Sequence, residues 1–170
     1  MCQLLKFPHK HIRALAIKDY LSNMNYDGVV CFTCGNAAKE LKNVGVNTIS
    51  VGGSEGDLLP NRWFSQKDIH NTFSNVFDAT SGHLPMELMV EIGKCYRDYL
   101  GELDNVVYVP CGSGETLVCL KLAYPNTDFI AVYNLNAATK YEPDCVLNPL
   151  VKLLAKEIVL EGGGVDYENL

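Results

Sequence analysis

The sequence predicts an α/β fold of three layers, a mainly parallel sheet with helices on both faces, and three observations lead there. Short apolar runs alternate along the chain with segments of helical period. The runs are continuous rather than alternately apolar and polar, as strands covered on both faces require. Glycine-bearing turns join run to helix, "CGSGET" at residues 111–116 being the fullest. Strands alternating with helices in this way build parallel sheets.

Each element has a local reason. Ile12, Leu15, Ala16, Asp19 and Tyr20 follow a helical rhythm with apolar residues on one side. "GVVCFTC" is the first strand, and "NAAKELKNVG" is a helix stopped by Gly45, because glycine takes the left-handed conformation that closes a helix. "VNTISVGG" is a strand, residues 53–63 are loop, residues 66–71 are a brief helix and "NVFD" is a short strand. "LPMELMVEIGKCYRDYLG" is the strongest helix. Pro85 suits its first turn, Leu88, Met89, Ile92, Tyr96 and Leu100 form its apolar stripe, and Gly101 ends it. Strand "NVVYVPC", the glycine turn, helix "ETLVCLKLAY" and strand "DFIAVYN" follow. "CVLNPLVKLLAKE" reads as a helix, "IVL" as a last strand and "EGGGVDYENL" as a loose tail. The expectation is one compact domain over residues 1–170, with a reduced small lobe at 37–80 and a tail at 161–170.

Composition narrows the function classes. A chain of 170 residues buries well over half of its unfolded surface and folds without stapling. Its formal net charge of -6, with both signs interspersed, repels nucleic-acid backbones and anionic membranes, so neither is expected as a partner. No secretory signal and no long apolar segment is legible, and a cytoplasmic location is expected. Seven cysteines, among them Cys31, Cys111, Cys119 and Cys145 in apolar segments, read as free thiols. Cys31 and Cys34 have the spacing of a redox pair or half a zinc site, but no second pair follows, so no metal is expected.

In a parallel sheet, ligands gather beyond the carboxyl ends of the strands, where a turn feeds a helix. At "CGSGET", Gly112 and Gly114 let the main chain approach an anion, the helix adds its positive end, and Ser113 and Thr116 offer hydroxyls. A nucleotide, S-adenosylmethionine or the phosphate of a pyridoxal cofactor fits such a cradle. Lysine is absent where a nucleoside-triphosphatase turn carries it, and the next strand ends in Tyr133 and Asn134 rather than a ribose-binding carboxylate. Asn36 opens the helix after the first strand, and Lys10 opens the first helix, with Arg13 nearby. Each has a plainer reading: a tight-packing glycine turn, a helix cap, a surface lysine.

Their order resembles the fold-type-II family of pyridoxal-phosphate enzymes, the tryptophan-synthase-beta-like group that includes threonine dehydratases. "PHKHIRALAI" looks like the family's lysine segment, "FTCGNAAKEL" is similar to its asparagine turn, and "VYVPCGSGETL" looks like its phosphate turn. The resemblance spans Phe7 to Asn134. It implies a shortened tryptophan-synthase-beta-like fold, pyridoxal 5'-phosphate held as a Schiff base on Lys10, and Asn36 at the ring hydroxyl. Gly112, Ser113, Gly114, Glu115 and Thr116 would fix the phosphate, with Cys111 beside them and Cys145 at the pyridine nitrogen. Thr33, Cys34 and Gly35 would face the carboxylate of a small amino-acid substrate. The implied reaction is beta-elimination or beta-replacement, of lyase type, in a homodimer that covers a sheet edge. Two alternatives stand beside it: a non-catalytic binding protein on the same scaffold, and an S-adenosylmethionine-dependent methyltransferase, whose first motif the Gly112–Gly114 turn also resembles.

Overall fold

The apolar runs form strands and the periodic segments form helices, in the order α1 (His9–Leu21), β1 (Gly28–Phe32), α2 (Asn36–Asn43), β2 (Thr48–Val51), β3 (Val76–Asp78), α3 (Met86–Leu100), β4 (Val106–Pro110), α4 (Glu115–Ala123), β5 (Asp128–Tyr133) and β6 (Gly164–Asp166) of the computed structural model. The structure describes residues 4–22, 24–26, 28–32, 36–51, 75–79, 84–110, 114–133 and 164–166. The expected loop at 53–63, the brief helix at 66–71, the helix "CVLNPLVKLLAKE" and the strand "IVL" lie outside these residues.

Every pairing between the described strands is parallel, as the continuous apolar runs predict. The described strands form two sheets of three, ordered β2-β1-β3 and β4-β5-β6. The chain divides into two units, Lys10–Thr80 and Met1–His9 with Ser81–Leu170. One expectation is corrected. Residues 164–166 were to belong to a loose tail but form β6, with Ala131 opposite Gly164 and Val132 opposite Val165. The reason is main-chain demand: β5 has β4 on one side, and its other edge needs hydrogen-bond partners.

In the unit Lys10–Thr80, β1 is central and buries Val29 and Cys31. Helix α1 buries Ala14, Ala16 and Ile17, and α2 buries Ala38 and Leu41. Gly45, at φ 87°, ends α2 as its type dictates: the Val46 N–H donates to Leu41 O at 2.9 Å and the Gly45 N–H to Lys42 O at 3.0 Å. Arg13 is buried, and its guanidinium donates to the carbonyl of Ala79 at 2.6 Å, tying α1 to the chain leaving β3. Asn75 holds a left-handed φ of 58°, and its side-chain amide donates to Asn25 O, which fixes the entry to β3.

In the other unit, α3 buries Leu88, Met89, Ile92 and Tyr96 and packs on α4, which buries Leu117, Val118, Cys119 and Leu120. A Cβ on Gly93 would stand 2.4 Å from Cys119 O, so glycine at this position lets the two helix backbones approach. The helix ends are fastened together as well. The Arg97 guanidinium donates to Ala123 O at 2.8 Å and lies 5.0 Å from the centre of the Tyr124 ring, whose hydroxyl donates to Gly101 O at 2.5 Å.

Gly93→Ala is expected to destabilise the chain by about 1–3 kcal/mol in chemical denaturation, since a methyl group there forces the two backbones apart. Burial pushes the Tyr124 phenol above its usual value; the Arg97 guanidinium opposes the rise, and Glu102 and Asp98 add to it. The phenol of the unfolded chain therefore ionises first, and stability falls as pH climbs above about 10. Tyr124→Phe should lose about 1 kcal/mol near neutral pH and lack that phenol's share of the alkaline fall, as denaturation midpoints across pH will show.

Candidate functional site

Parallel strands place their carboxyl ends side by side, and the expected site residues cluster at such ends. In the unit Lys10–Thr80, Asn36 is the first residue of α2, four positions after the last residue of β1, and its side chain is exposed. Lys10 is the second residue of α1 and is half-buried. Two contacts order these helices: His11 Nδ1 lies 3.1 Å from a Glu40 carboxylate oxygen, and Lys18 donates to Val44 O at 2.7 Å. Both contacts advance in the same sense along α1 and α2, so the two helices start at the same end of the unit. Lys10 and Asn36 thus share the end at which β1 finishes. Thr33, Cys34 and Gly35 lie outside the described residues.

In the other unit the chain leaves β4 at Pro110 and enters α4 through Gly114, which has the left-handed φ of 92°. Gly114 is the N-cap and contributes no side-chain cap. The Val118 N–H donates to Gly114 O at 3.1 Å, so the amides of Glu115, Thr116 and Leu117 precede the helix's own ladder and carry its positive end. Thr116 is half-buried, whereas Glu115 at the first helical position is buried. Cys111, Gly112 and Ser113 lie outside the described residues, as does Cys145.

The segment preceding α1 supplies the opposite wall. Leu4 bridges Tyr108 in parallel fashion, and the Leu5 N–H donates to Tyr108 O at 2.8 Å, so this segment runs alongside β4 and emerges at its carboxyl end. Phe7 then anchors edge-on to Tyr96 of α3, with ring centres 5.0 Å apart. The backbone N–H of His9 donates to Phe7 O at 2.7 Å, turning the chain into α1. The result is a cavity of about 190 Å³ lined by Leu5, Lys6, Phe7, His9, Val109, Pro110 and Thr116. Its lining residues are chiefly apolar, with Lys6, His9 and Thr116 as the polar ones. That composition suits a small, partly apolar molecule bearing a polar group.

The sequence-expected residues therefore fall into two sets. Lys10 and Asn36 share one unit; Gly114, Glu115 and Thr116 belong to the other. Lys6, Phe7 and His9 were not expected in a site. Their signal was the pair Leu4–Leu5, an extended apolar start too short to read as a strand. Cys31, Cys95 and Cys119 take part in no disulfide bond. Among the described residues no group of three or more His, Cys, Asp or Glu is arranged to hold a metal ion, and no helix is long and apolar enough to cross a membrane.

Comparison with solved structures bears on the fold. The threonine deaminase of T.th. matches with a TM-score of 0.53 at 17% identity, over 92% of this chain and 62% of that one. The chain thus spans less than two thirds of the length of that structure. Anabolic ornithine carbamoyltransferase from Campylobacter jejuni subsp. jejuni aligns over 98% of this chain and 67% of that one at 10% identity, with a TM-score of 0.28, too low to bear on the fold. No family model and no curated protein matches the sequence. At this level of identity the likeness is one of architecture: parallel strands and helices assembled in an α/β fold similar to that of threonine deaminase.

Proposed function

We propose that this chain is a pyridoxal-phosphate-dependent enzyme acting on a small amino acid by beta-elimination or beta-replacement. One observation carries the reading: a fold like that of threonine deaminase in which a glycine turn opens α4 at the carboxyl end of β4. The family resemblance of the sequence puts the cofactor's phosphate at that turn. The donor set suits the group. Gly114 takes the left-handed conformation of a main-chain cradle, the Thr116 hydroxyl and the leading amides of α4 are donors, and Phe7 and Val109 offer apolar walls.

When bound, pyridoxal phosphate supplies the electron sink that stabilises negative charge at the substrate's alpha carbon. The protein's part is binding and proton transfer. Lys10 provides the amine at which the cofactor is held, and its Nζ then takes and returns the alpha proton. Asn36, at the same end of its unit, orients the ring through its side-chain amide. Thr33, Cys34 and Gly35 face the substrate carboxylate. Cys111, Gly112 and Ser113 complete the phosphate turn, and Cys145 meets the pyridine nitrogen. A second copy of the chain covers an outer strand of a sheet, whose main-chain groups otherwise present an open edge.

Mixing the purified protein with pyridoxal phosphate should produce an absorbance band at roughly 410–430 nm, a property of the cofactor joined to an amine. Lys10→Ala should lose that band while keeping its far-ultraviolet circular dichroism. A folded wild-type chain that shows no band removes the reading; stabilisation by S-adenosylmethionine in the same sample favours the methyltransferase instead. Sedimentation at micromolar concentration should give a dimer, and a monomer would remove that part of the proposal.

A further inference from the structure

We infer that His11 and Glu40 are positioning residues, whose contact between α1 and α2 sets the amine of Lys10 against the side-chain amide of Asn36. The inference rests on the pyridoxal-phosphate reading, in which those two groups hold and orient the cofactor. Neither the sequence motifs nor the likeness to threonine deaminase gives His11 or Glu40 a role.

Register along the two helices is the first reason. His11 follows Lys10 directly on α1. Glu40 stands four residues after Asn36 on α2, and side chains four apart share one face of a helix. The contact of 3.1 Å between His11 Nδ1 and the Glu40 carboxylate therefore turns toward α1 the face of α2 on which Asn36 stands. Asn36 lies one turn farther toward the helix start, a step of about 6 Å along the axis. The four-carbon stem of Lys10 is long enough to span such a step.

Spacing is the second reason. The backbones of α1 and α2 hardly approach one another, so side chains set the distance between the helices. His11 spans the gap to Glu40 near the helix starts, and Lys18 spans it to the carbonyl of Val44 near their ends. The first contact stands one residue from Lys10 and one turn from Asn36; the second lies about two turns from Lys10. The His11 and Glu40 side chains are 47% and 31% exposed, so water weakens the pair and it adds little to stability. Its value is one of placement. A shift of about 1 Å in a reacting group is enough to disturb bond formation, which gives a weak contact at this point a readable effect.

The test titrates the full chain with pyridoxal phosphate and with pyridoxal, following the band at roughly 410–430 nm well below the thermal midpoint of each variant. The variants are His11→Ala, Glu40→Ala, the two together, His11→Arg, and Lys18→Ala as the control at the far end of the helices. Each single alanine variant at the pair should form the band about 3-fold more weakly, the size of one exposed charged contact. Their combination should be no worse than either alone, because the first loss already breaks the pair. His11→Arg, which keeps a donor able to reach the carboxylate, should stay close to wild type. Pyridoxal, which lacks the phosphate, should weaken by the same factor as pyridoxal phosphate, since the pair acts at the amine. Lys18→Ala should leave the band at its wild-type affinity. Unchanged affinity in both alanine variants overturns the inference and leaves the cofactor reading standing. Additive losses in the double variant overturn it, because the two residues then act separately. An equal loss in Lys18→Ala overturns it as a general loosening of α1, and a loss confined to pyridoxal phosphate overturns it as an effect on the phosphate. A folded wild type without the band removes the inference together with the reading on which it rests.

Discussion

Parallel pairing is the constraint on which the molecule rests. Two parallel strands in sequence cannot be joined by a tight hairpin; the chain must cross from the end of one to the start of the next, and a helix is the ordinary way to do it. Helix α2 makes that crossing between β1 and β2, and α4 makes it between β4 and β5. The geometry has a functional by-product. Each strand-to-helix turn lies at a carboxyl end, with helix amides facing outward, and both Asn36 and Thr116 owe their positions to it.

The supports for these crossings differ between the units. In Met1–His9 with Ser81–Leu170, backbone proximity at Gly93 and the fastening of Arg97 and Tyr124 hold α3 on α4, which fixes the direction in which α4 presents its first turn. In Lys10–Thr80 a buried guanidinium does comparable work. Arg13 reaches the Ala79 carbonyl, adding a charged hydrogen bond to the contacts that hold α1.

Features that depend on neighbours in sequence were legible in advance. Gly45 closes α2 with the two hydrogen bonds expected of a left-handed glycine, and Pro85 and Gly101 bracket α3 as the N-cap and C-cap. Pro85 stands one position before the first turn in which it was expected. The strand-to-helix junctions at Asn36 and Gly114 followed from alternation alone. What could not be read was anything defined by a partner distant in the chain. Gly93 is merely a poor helix former until Cys119 is brought against it. The strand Gly164–Asp166 has too little side-chain character to announce itself and exists because β5 offers an edge. Lys6 and Phe7 form a cavity wall only because Tyr108 accepts the Leu5 amide, a pairing that no local pattern encodes.

The bridge between Leu4 and Tyr108 carries a consequence for biosynthesis. The residues from Leu4 to Phe7 leave the ribosome well before the strand that receives them, which is made roughly a hundred residues later, a separation that slows any pairing depending on it. Residues 10–80, meanwhile, contain all three described strands of the sheet β2-β1-β3 and have no such wait imposed on them. The growing chain can therefore assemble the half that bears Lys10 while the leading segment is still unpaired, and the pocket beside Thr116 gains its facing wall only after β4 is complete.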